Sequence, residues 1–144
     1  MKKKNSQAGI AFVEFAIILP LLLLITFGTI EFGLLMFNKQ IITNASREGA
    51  RAGIVASTER LPYTGTPSIT SVVLEYCSNH LITFRNPEPP KVIIKPIPYD
   101  KHAAFQVPLT VKVTYKYSWL APIWGTIGIP DPLTIAAETT MKYE

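Results

Sequence analysis

Cysteine and histidine are scarce in this sequence, which holds one cysteine, Cys77, and two histidines, His80 and His102. A single cysteine cannot form an intrachain disulfide. Cys77 lies in an amphipathic pattern that predicts a small core residue, with a free reactive thiol or an intermolecular bridge as the alternatives. The histidines lack metal-ligand spacing, and the chain has no phosphate-binding glycine loop and no nucleophile elbow. The sequence therefore predicts no catalytic site, no metal and no cofactor.

Positive charge is concentrated at the N-terminus. The formal net charge is +4, from 14 basic and 10 acidic residues, and three of the basic residues are the consecutive lysines at positions 2–4. The remainder of the chain is close to neutral. Its later lysines alternate along strand-like segments, which is typical of a solvated sheet face. We therefore expect no nucleic-acid partner.

Residues 9–37 form one long apolar run, GIAFVEFAIILPLLLLITFGTIEFGLLMF, which is interrupted by two charges, Glu14 and Glu31. The run is long enough for a bilayer-spanning helix of ~20 residues. It is too long for the apolar region of a secretory signal peptide, and no small-residue cleavage site follows it. Pro20 is expected to kink this helix. The lysines before the run favour a cytoplasmic N-terminus and a C-terminal domain outside the cytoplasm.

Glu14 is unusual, because a carboxylate within hydrocarbon costs about 2.5–3.5 kcal/mol on insertion scales. It either lies solvated at headgroup level or has a specific cationic partner. The segment GIAFVEF, residues 9–15, places a glycine, four uncharged residues, the glutamate and an aromatic residue at the start of the apolar helix. This segment resembles the processing site of type IV pilins and pseudopilins. The resemblance implies that a prepilin peptidase cuts between Gly9 and Ile10 and removes a leader of residues 1–9.

The same resemblance implies that Glu14 and Phe15 act in assembly. Glu14 becomes the fifth residue of the mature chain. Cleavage creates an α-amino cation at Ile10, and the carboxylate of Glu14 on a neighbouring subunit is suited to neutralise it within the membrane or a filament core.

Further motifs narrow the resemblance. The chain is similar to the TadE-like family of the tight-adherence (Flp-type) pilus system, whose members are minor pseudopilins with a single N-terminal helix. The matching motifs cover roughly the first 55 residues and are Glu14-Phe15-Ala16, Leu19-Pro20, Gly28, Glu31-Phe32-Gly33 and Arg47-Glu48-Gly49-Ala50-Arg51.

This resemblance implies a single-pass protein of the bacterial cytoplasmic (inner) membrane. The partners it implies are the prepilin peptidase, other pseudopilins, the major pilin, an inner-membrane assembly platform and the lipid bilayer. It leaves open whether the protein lies in the filament, at its tip or only in the membrane.

The helical pattern continues past the membrane segment, which we assign to residues 10–37, and predicts a stalk over residues 38–57. Small residues recur four apart in this stalk at Ala45, Gly49 and Gly53, and Gly28 and Gly33 lie within the apolar run. Small side chains let helices approach closely. The stalk face is expected to pack either against the C-terminal domain or against the helix of another pseudopilin.

Three charged residues of the long helix have more than one interpretation. Arg47 and Arg51 share one helical face, where they are either solvated or paired with acidic groups of a partner or of the chain's own domain. Glu31 lies either at the outer interface of the bilayer or buried as the partner of a cation on another subunit.

Residues 58–144 are expected to form a small extracytoplasmic α+β domain. A loop is predicted over residues 61–67 and a second helix over residues 68–84. Strands are predicted over residues 91–99, 105–119 and 133–143, and Pro96 and Pro98 restrict the first of them to a short or edge strand. Strict alternation in the second strand indicates one buried and one solvated face. The predicted fold is an antiparallel sheet packed with the second helix and the stalk.

The segment between the last two strands, LAPIWGTIGIPDP at residues 120–132, is apolar and contains Trp124. Because an apolar loop is seldom left exposed to water, this segment is expected to contact protein or lipid. It either folds back over the end of the sheet, or forms a protein-contact surface, or dips into the membrane interface.

The features together predict a minor pseudopilin that acts through helix packing and surface contacts in a tight-adherence pilus or a related secretion machine. The alternative is a membrane-anchored extracytoplasmic binding module, unrelated to pili, with an uncleaved signal anchor.

Overall fold

The computed structural model describes residues 5–54, 67–85, 88–95, 108–120, 123–126 and 128–142. Several sequence predictions lie partly outside these residues: the leader at residues 1–4, the stalk at 55–57, the loop expected over 61–67 except for Pro67, the predicted strands at 96–99, 105–107 and 143, and the apolar segment at 121, 122 and 127. The chain divides into two compact units, Met1–Leu34 and Leu35–Glu144. The predicted α+β class is confirmed, with a long apolar helix, further helices and a small antiparallel sheet.

Helix α1 spans Asn5–Ile54 and runs through Pro20 without interruption. Between Gly9 and Ile54 it is long and apolar enough to cross a membrane, by length and composition. Its most apolar window of 18 residues has a mean hydropathy of 2.6, and no residue of that window is buried within the protein. The first unit therefore contains a helix with the length and composition of a membrane span.

Helix α2 spans Ile69–His80 and begins at a well-formed cap. The Ser68 hydroxyl accepts a hydrogen bond from the backbone N–H of Ser71 at 3.0 Å, and the Ser71 hydroxyl accepts one from the backbone N–H of Ser68 at 2.8 Å. Such caps contribute about 1 kcal/mol. The helix buries one stripe at a spacing of four residues, which consists of Ile69, Val73 and Cys77.

The prediction that this helix extends to residue 84 was wrong by four residues. The backbone N–H of Leu81 still donates to the carbonyl of Cys77, but Leu81 itself is extended, with ψ at 132°. The next backbone N–H, that of Ile82, donates to the side chain of Asn38 instead of to a helical carbonyl. Helix α2 ends where this tertiary hydrogen bond replaces the next helical one.

The sheet contains strands β1 (Lys91–Lys95), β2 (Leu109–Tyr117) and β3 (Leu133–Met141), in the order β1-β2-β3 with both pairings antiparallel. β1 is a short edge strand, as its flanking prolines predict. β2 alternates as expected, because its odd-numbered residues are buried and its even-numbered residues are at least partly exposed. β3 ends two residues earlier than predicted, at Met141.

The core of the second unit lies between the sheet and the two helices. A Cβ placed on Gly49 of α1 would meet side chains of α2 and β2, namely Val73, Ile69 and Val111. These three residues are fully buried. The C-terminal part of α1 is thus a layer of the domain and not a free stalk.

Candidate functional site on the long helix

The N-terminal part of α1 exposes apolar side chains around its circumference. Phe12 is 73% exposed, and the exposure of the remainder lies between 44% and 71%. Monomeric soluble proteins rarely leave an apolar surface of this extent open to water. This surface therefore needs lipid or other apolar helices, and it consists of Ile10, Phe12, Val13, Phe15, Ile17, Ile18, the four leucines at positions 21–24, Ile25, Phe27, Ile30, Phe32, Met36 and Phe37.

The residues of the expected processing site lie on this exposed part of the helix. Gly9 has open space where a side chain would be, and Ile10 is 58% exposed. Glu14 and Phe15 are exposed as well. Ile10 and Glu14 are one helical turn apart, with an axial rise of about 6 Å, so the new α-amino group and the carboxylate would lie near the same end of a helix that starts at Ile10.

The two glutamates of the apolar run lie in different environments. Glu14 is exposed, whereas Glu31 is 2% exposed and is covered within the protein. A carboxylate on an otherwise apolar exposed surface is the chemically distinctive feature of this part of the helix, because lipid alone does not satisfy it. Glu14 is therefore the candidate assembly residue of the first unit.

The small residues of α1 divide into two groups. Gly33 is exposed and has open space around it, and Gly28 is half-buried. Ala45 is fully buried, and Gly49 and Gly53 lie against the domain. A Cβ on Gly53 would lie 2.5 Å from Leu109 Cδ2. The second group is thus occupied by the chain's own domain, and only the first group remains accessible to another helix.

Three polar side chains of α1 bind the domain, and sequence reasoning missed them. The Asn38 amide donates to the carbonyl of Ile82 at 2.7 Å and accepts from the N–H of Ile82 at 3.0 Å. The hydroxyls of Ser46 and Thr139 are hydrogen-bonded at 2.7 Å. Lys39 Nζ donates to a carbonyl of β3, that of Ala136. A usable signal was present, since Asn38 and Ser46 interrupt the otherwise apolar or small-residue face formed by Ile42, Ala45, Gly49 and Gly53.

The paired arginines lie on the opposite, solvated side of the same helix. Arg47, Glu48 and Arg51 are exposed. Arg51 belongs to the last described turn of α1, where a cation interacts favourably with the helix dipole. No ion pair joins either arginine to any residue in the part of the chain that the structure describes, so both guanidinium groups are presented to solvent.

The segment around Trp124 folds back on itself. Helix α3 covers Ile123–Thr126. The ring of Trp124 is 8% exposed and lies 6.1 Å from that of Trp119, measured between centroids. The indole N–H of Trp119 donates to the carbonyl of Pro130 at 2.8 Å. Most of the Trp124 ring is therefore covered by its own chain, whereas Gly125 and Thr126 are exposed.

A groove of about 360 Å³ lies beside α2 and is lined by Cys77, Leu81, Tyr115 and six neighbouring residues. Burial raises the pKa of the Cys77 thiol to about 11, and burial also raises the pKa of Tyr115. A thiol that is buried and protonated at neutral pH is a poor nucleophile. Within the described ranges, no three His, Cys, Asp or Glu side chains are grouped so that they could hold a metal ion.

These features define a class of protein: one exposed apolar helix with the properties of a membrane anchor, joined to a small α+β domain. Residues 9–51 match the family model described as TadE-like protein, which confirms the predicted resemblance over those residues. The TadE-like family is a family of structural pilus components, and the match indicates involvement in tight-adherence (Flp-type) pilus systems. No curated protein and no solved structure matches the chain significantly.

Proposed function

We propose that this protein is a minor pseudopilin of a tight-adherence pilus or a related type IV-like secretion machine. The observation that carries the proposal is the match of residues 9–51 to the TadE-like family on a helix whose N-terminal part is apolar and exposed. The face of residues 38–53 is used by the chain's own domain. The surface from Ile10 to Phe37 is left for contacts with other subunits and lipid.

Cleavage between Gly9 and Ile10 would change the electrostatics of this helix. Hydrolysis of that peptide bond by a prepilin peptidase gives a carboxylate on Gly9 and an ammonium group on Ile10. The helix would then begin at Ile10 instead of Asn5, which moves Glu14 from the third turn to the second. A carboxylate close to a helix N-terminus interacts favourably with the unpaired N–H groups and the helix dipole. Processing thus creates a cation and brings the carboxylate closer to the start of the helix.

After cleavage, Glu14 favours the association of two subunits in the membrane over a single isolated helix. A carboxylate at the bilayer centre costs about 2.5–3.5 kcal/mol, and a neighbouring subunit's Ile10 ammonium group would lower that cost. Because one group from each subunit is needed, the pair also sets the register between helices. Phe15 and the exposed Gly33 provide a bulky and a small contact on the same accessible surface.

The proposal includes location and partners. The N-terminus lies in the cytoplasm, and the domain beyond residue 57 lies outside it, in the periplasm or on the filament. The helix contacts the lipid bilayer, the prepilin peptidase, other pseudopilins, the major pilin and the inner-membrane assembly platform. Arg47 and Arg51, both exposed, are candidates for contacts with acidic groups of these partners. A reporter enzyme fused after Glu144 tests the orientation and should be active only outside the cytoplasm.

The decisive experiment compares Glu14→Gln with Glu48→Gln in a cell that carries the pilus system. Both substitutions remove one exposed carboxylate from α1 and keep the side-chain volume. We expect Glu14→Gln to reach the membrane in normal amount but to lose co-purification with other pilins and to impair piliation. Glu48→Gln should behave like wild type. Normal piliation with Glu14→Gln would remove the proposed role of Glu14, and an unprocessed chain would favour the anchored binding module instead.

A further inference from the structure

The solvated face of the sheet carries a row of lysines on its first two strands. Lys91 and Lys95 are exposed on β1, and Lys112 and Lys116 are exposed on β2. The register pairs Lys91 with Thr114 and Lys95 with Thr110. Directly paired residues point to the same side of a sheet, as do alternate residues of one strand, so all four lysines share one face.

The register arranges these lysines in a zigzag. Going along β2 from Thr110, the cations come in the order Lys95, Lys112, Lys91, Lys116, alternating between the two strands. Each step advances two residues, or about 7 Å along the strand, and the strands are about 4.8 Å apart. The four cations thus form a narrow row about 20 Å long, which we call the lysine row.

Structural needs account for only part of the lysine row. Lysines on an edge strand prevent pairing with another chain, which explains Lys91 and Lys95. Lys112 and Lys116 lie on the central strand, which has no free edge. They are near two carboxylates, since Lys116 Nζ lies 2.9 Å from Glu88 Oε2 and Lys112 Nζ lies 4.0 Å from Glu138 Oε2. Both pairs are exposed and therefore weak, and two carboxylates leave the row with an excess of two positive charges.

We propose that the lysine row binds a linear acidic polysaccharide. A narrow row of cations complements the charges of a single extended polymer. A broad anionic membrane surface fits less well, because the cations are confined to β1 and β2, whereas β3 contains no lysine and one exposed carboxylate, that of Glu138. Single-stranded nucleic acid fits less well, because its sites combine cations with aromatic stacking surfaces, and the described residues of this face include no aromatic side chain.

Hydroxyl groups next to the lysine row favour sugar as the polymer. A threonine hydroxyl both donates and accepts hydrogen bonds, which suits the hydroxyls of a sugar chain, whereas the lysines attract its carboxylates. The Thr110 and Thr140 hydroxyls are hydrogen-bonded to each other at 2.8 Å, which holds them in place beside Lys95 and Lys112. The threonines of this face are Thr110, Thr114, Thr134 and Thr140.

The test uses the full chain in nonionic detergent micelles with polygalacturonate as the probe. Fully methyl-esterified polygalacturonate, which has the same backbone without charge, is the ligand control. The variant Lys91→Gln/Lys112→Gln removes two adjacent cations of the row, and Lys3→Gln/Lys4→Gln removes two cations of the N-terminal lysine cluster. The two variants have the same net charge.

We expect wild type to bind polygalacturonate and not its methyl ester, with an affinity that falls steeply with salt. Lys91→Gln/Lys112→Gln should weaken binding at least about tenfold and roughly halve the salt dependence, because two of four contacts are lost. Lys3→Gln/Lys4→Gln should change the affinity less than about twofold, and Lys91→Arg/Lys112→Arg should retain binding because it keeps the charges.

Four results would overturn the proposal. Equal weakening by the two glutamine variants would show that net charge and not the row binds the polymer. Binding of the methyl ester would show that charge is not recognised. Failure to bind polygalacturonate, with binding to single-stranded DNA or to vesicles of phosphatidylglycerol, would assign the row to nucleic acid or membrane. No binding to any of these probes would leave the row a solvated face.

Discussion

The substitution Gly49→Ala offers the sharpest test of how the C-terminal part of α1 packs on the domain, because the neighbouring side chains leave no room for a Cβ at this position. A Cβ at this position would overlap Val73 Cγ2 of α2. Val73 is fully buried and β-branched, so its side chain has little freedom to rotate away. Ile69 Cγ2 and Val111 Cγ1 would lie at an ordinary 3.6 Å. The perturbation Gly49→Ala therefore creates one defined steric conflict, with Val73.

Two opposing effects determine the size of the change. Overpacking a core costs about 1–3 kcal/mol, whereas alanine favours a helix interior over glycine by about 1 kcal/mol. We expect Gly49→Ala to lower the free energy of unfolding by roughly 1–2 kcal/mol. In a Val73→Ala background the conflict is absent, so the same substitution should raise the free energy of unfolding by about 1 kcal/mol.

Urea unfolding of the full chain in detergent micelles, monitored by tryptophan fluorescence, measures the free energy of unfolding of wild type, the two single variants and the double variant. Both tryptophans of the chain, Trp119 and Trp124, lie in the second unit and are mostly buried, so they report on its unfolding. Gly125→Ala is the control, because a Cβ there meets open space. Two results would show that α1 does not pack on α2 as described. One is that Gly49→Ala stabilises the protein in both backgrounds. The other is that the effects of Gly49→Ala and Val73→Ala on the free energy of unfolding add within about 0.5 kcal/mol.

Three further predictions concern the second unit. Asn38→Leu should lower the free energy of unfolding by about 2–4 kcal/mol, because it leaves two backbone groups of Ile82 unpaired. The control Asn44→Ala, on the same helix, should change the free energy of unfolding by less than about 0.5 kcal/mol. Equal effects of the two substitutions would contradict the role of Asn38. Cys77 should react slowly with iodoacetamide at pH 8, and the rate should rise toward pH 11, because burial raises the pKa of its thiol to about 11; rapid labelling of the folded chain at pH 8 would show that the thiol is accessible. Trp119→Phe should lower the free energy of unfolding by about 1 kcal/mol through loss of the hydrogen bond to Pro130, and an unchanged denaturation midpoint would count against that bond.

The regular elements could be predicted from the sequence because each has a clear period. The helix of the apolar run could be predicted without tertiary information, because the length and composition of the run indicate a membrane-spanning helix. β2 alternates strictly from Leu109 to Tyr117, and that pattern alone predicts which face is buried. The prolines at 96 and 98 indicate an edge strand because proline cannot donate to a sheet ladder.

The remaining features depend on contacts between residues distant in sequence, which no local pattern encodes. The end of α2 is set by Asn38, 44 residues before Ile82, so the helical period of residues 68–84 overestimates its length. The packing of Gly49 and Gly53 was one of two alternatives, because a small-residue face fits a domain or a partner helix equally well. Trp119 and Trp124 are only five residues apart, yet their ring contact could not be predicted, because an apolar loop is equally consistent with a folded-back segment, a protein contact or the membrane interface.

The central claim is that α1 is a processed assembly helix and not a permanent signal anchor. The intact mass of the membrane-extracted protein, expressed with and without a prepilin peptidase, tests this directly. With the peptidase, the account predicts a chain that starts at Ile10 and is lighter by residues 1–9, and Gly9→Leu should block this change. A chain that keeps Met1 to Gly9 in the presence of an active peptidase would contradict the claim.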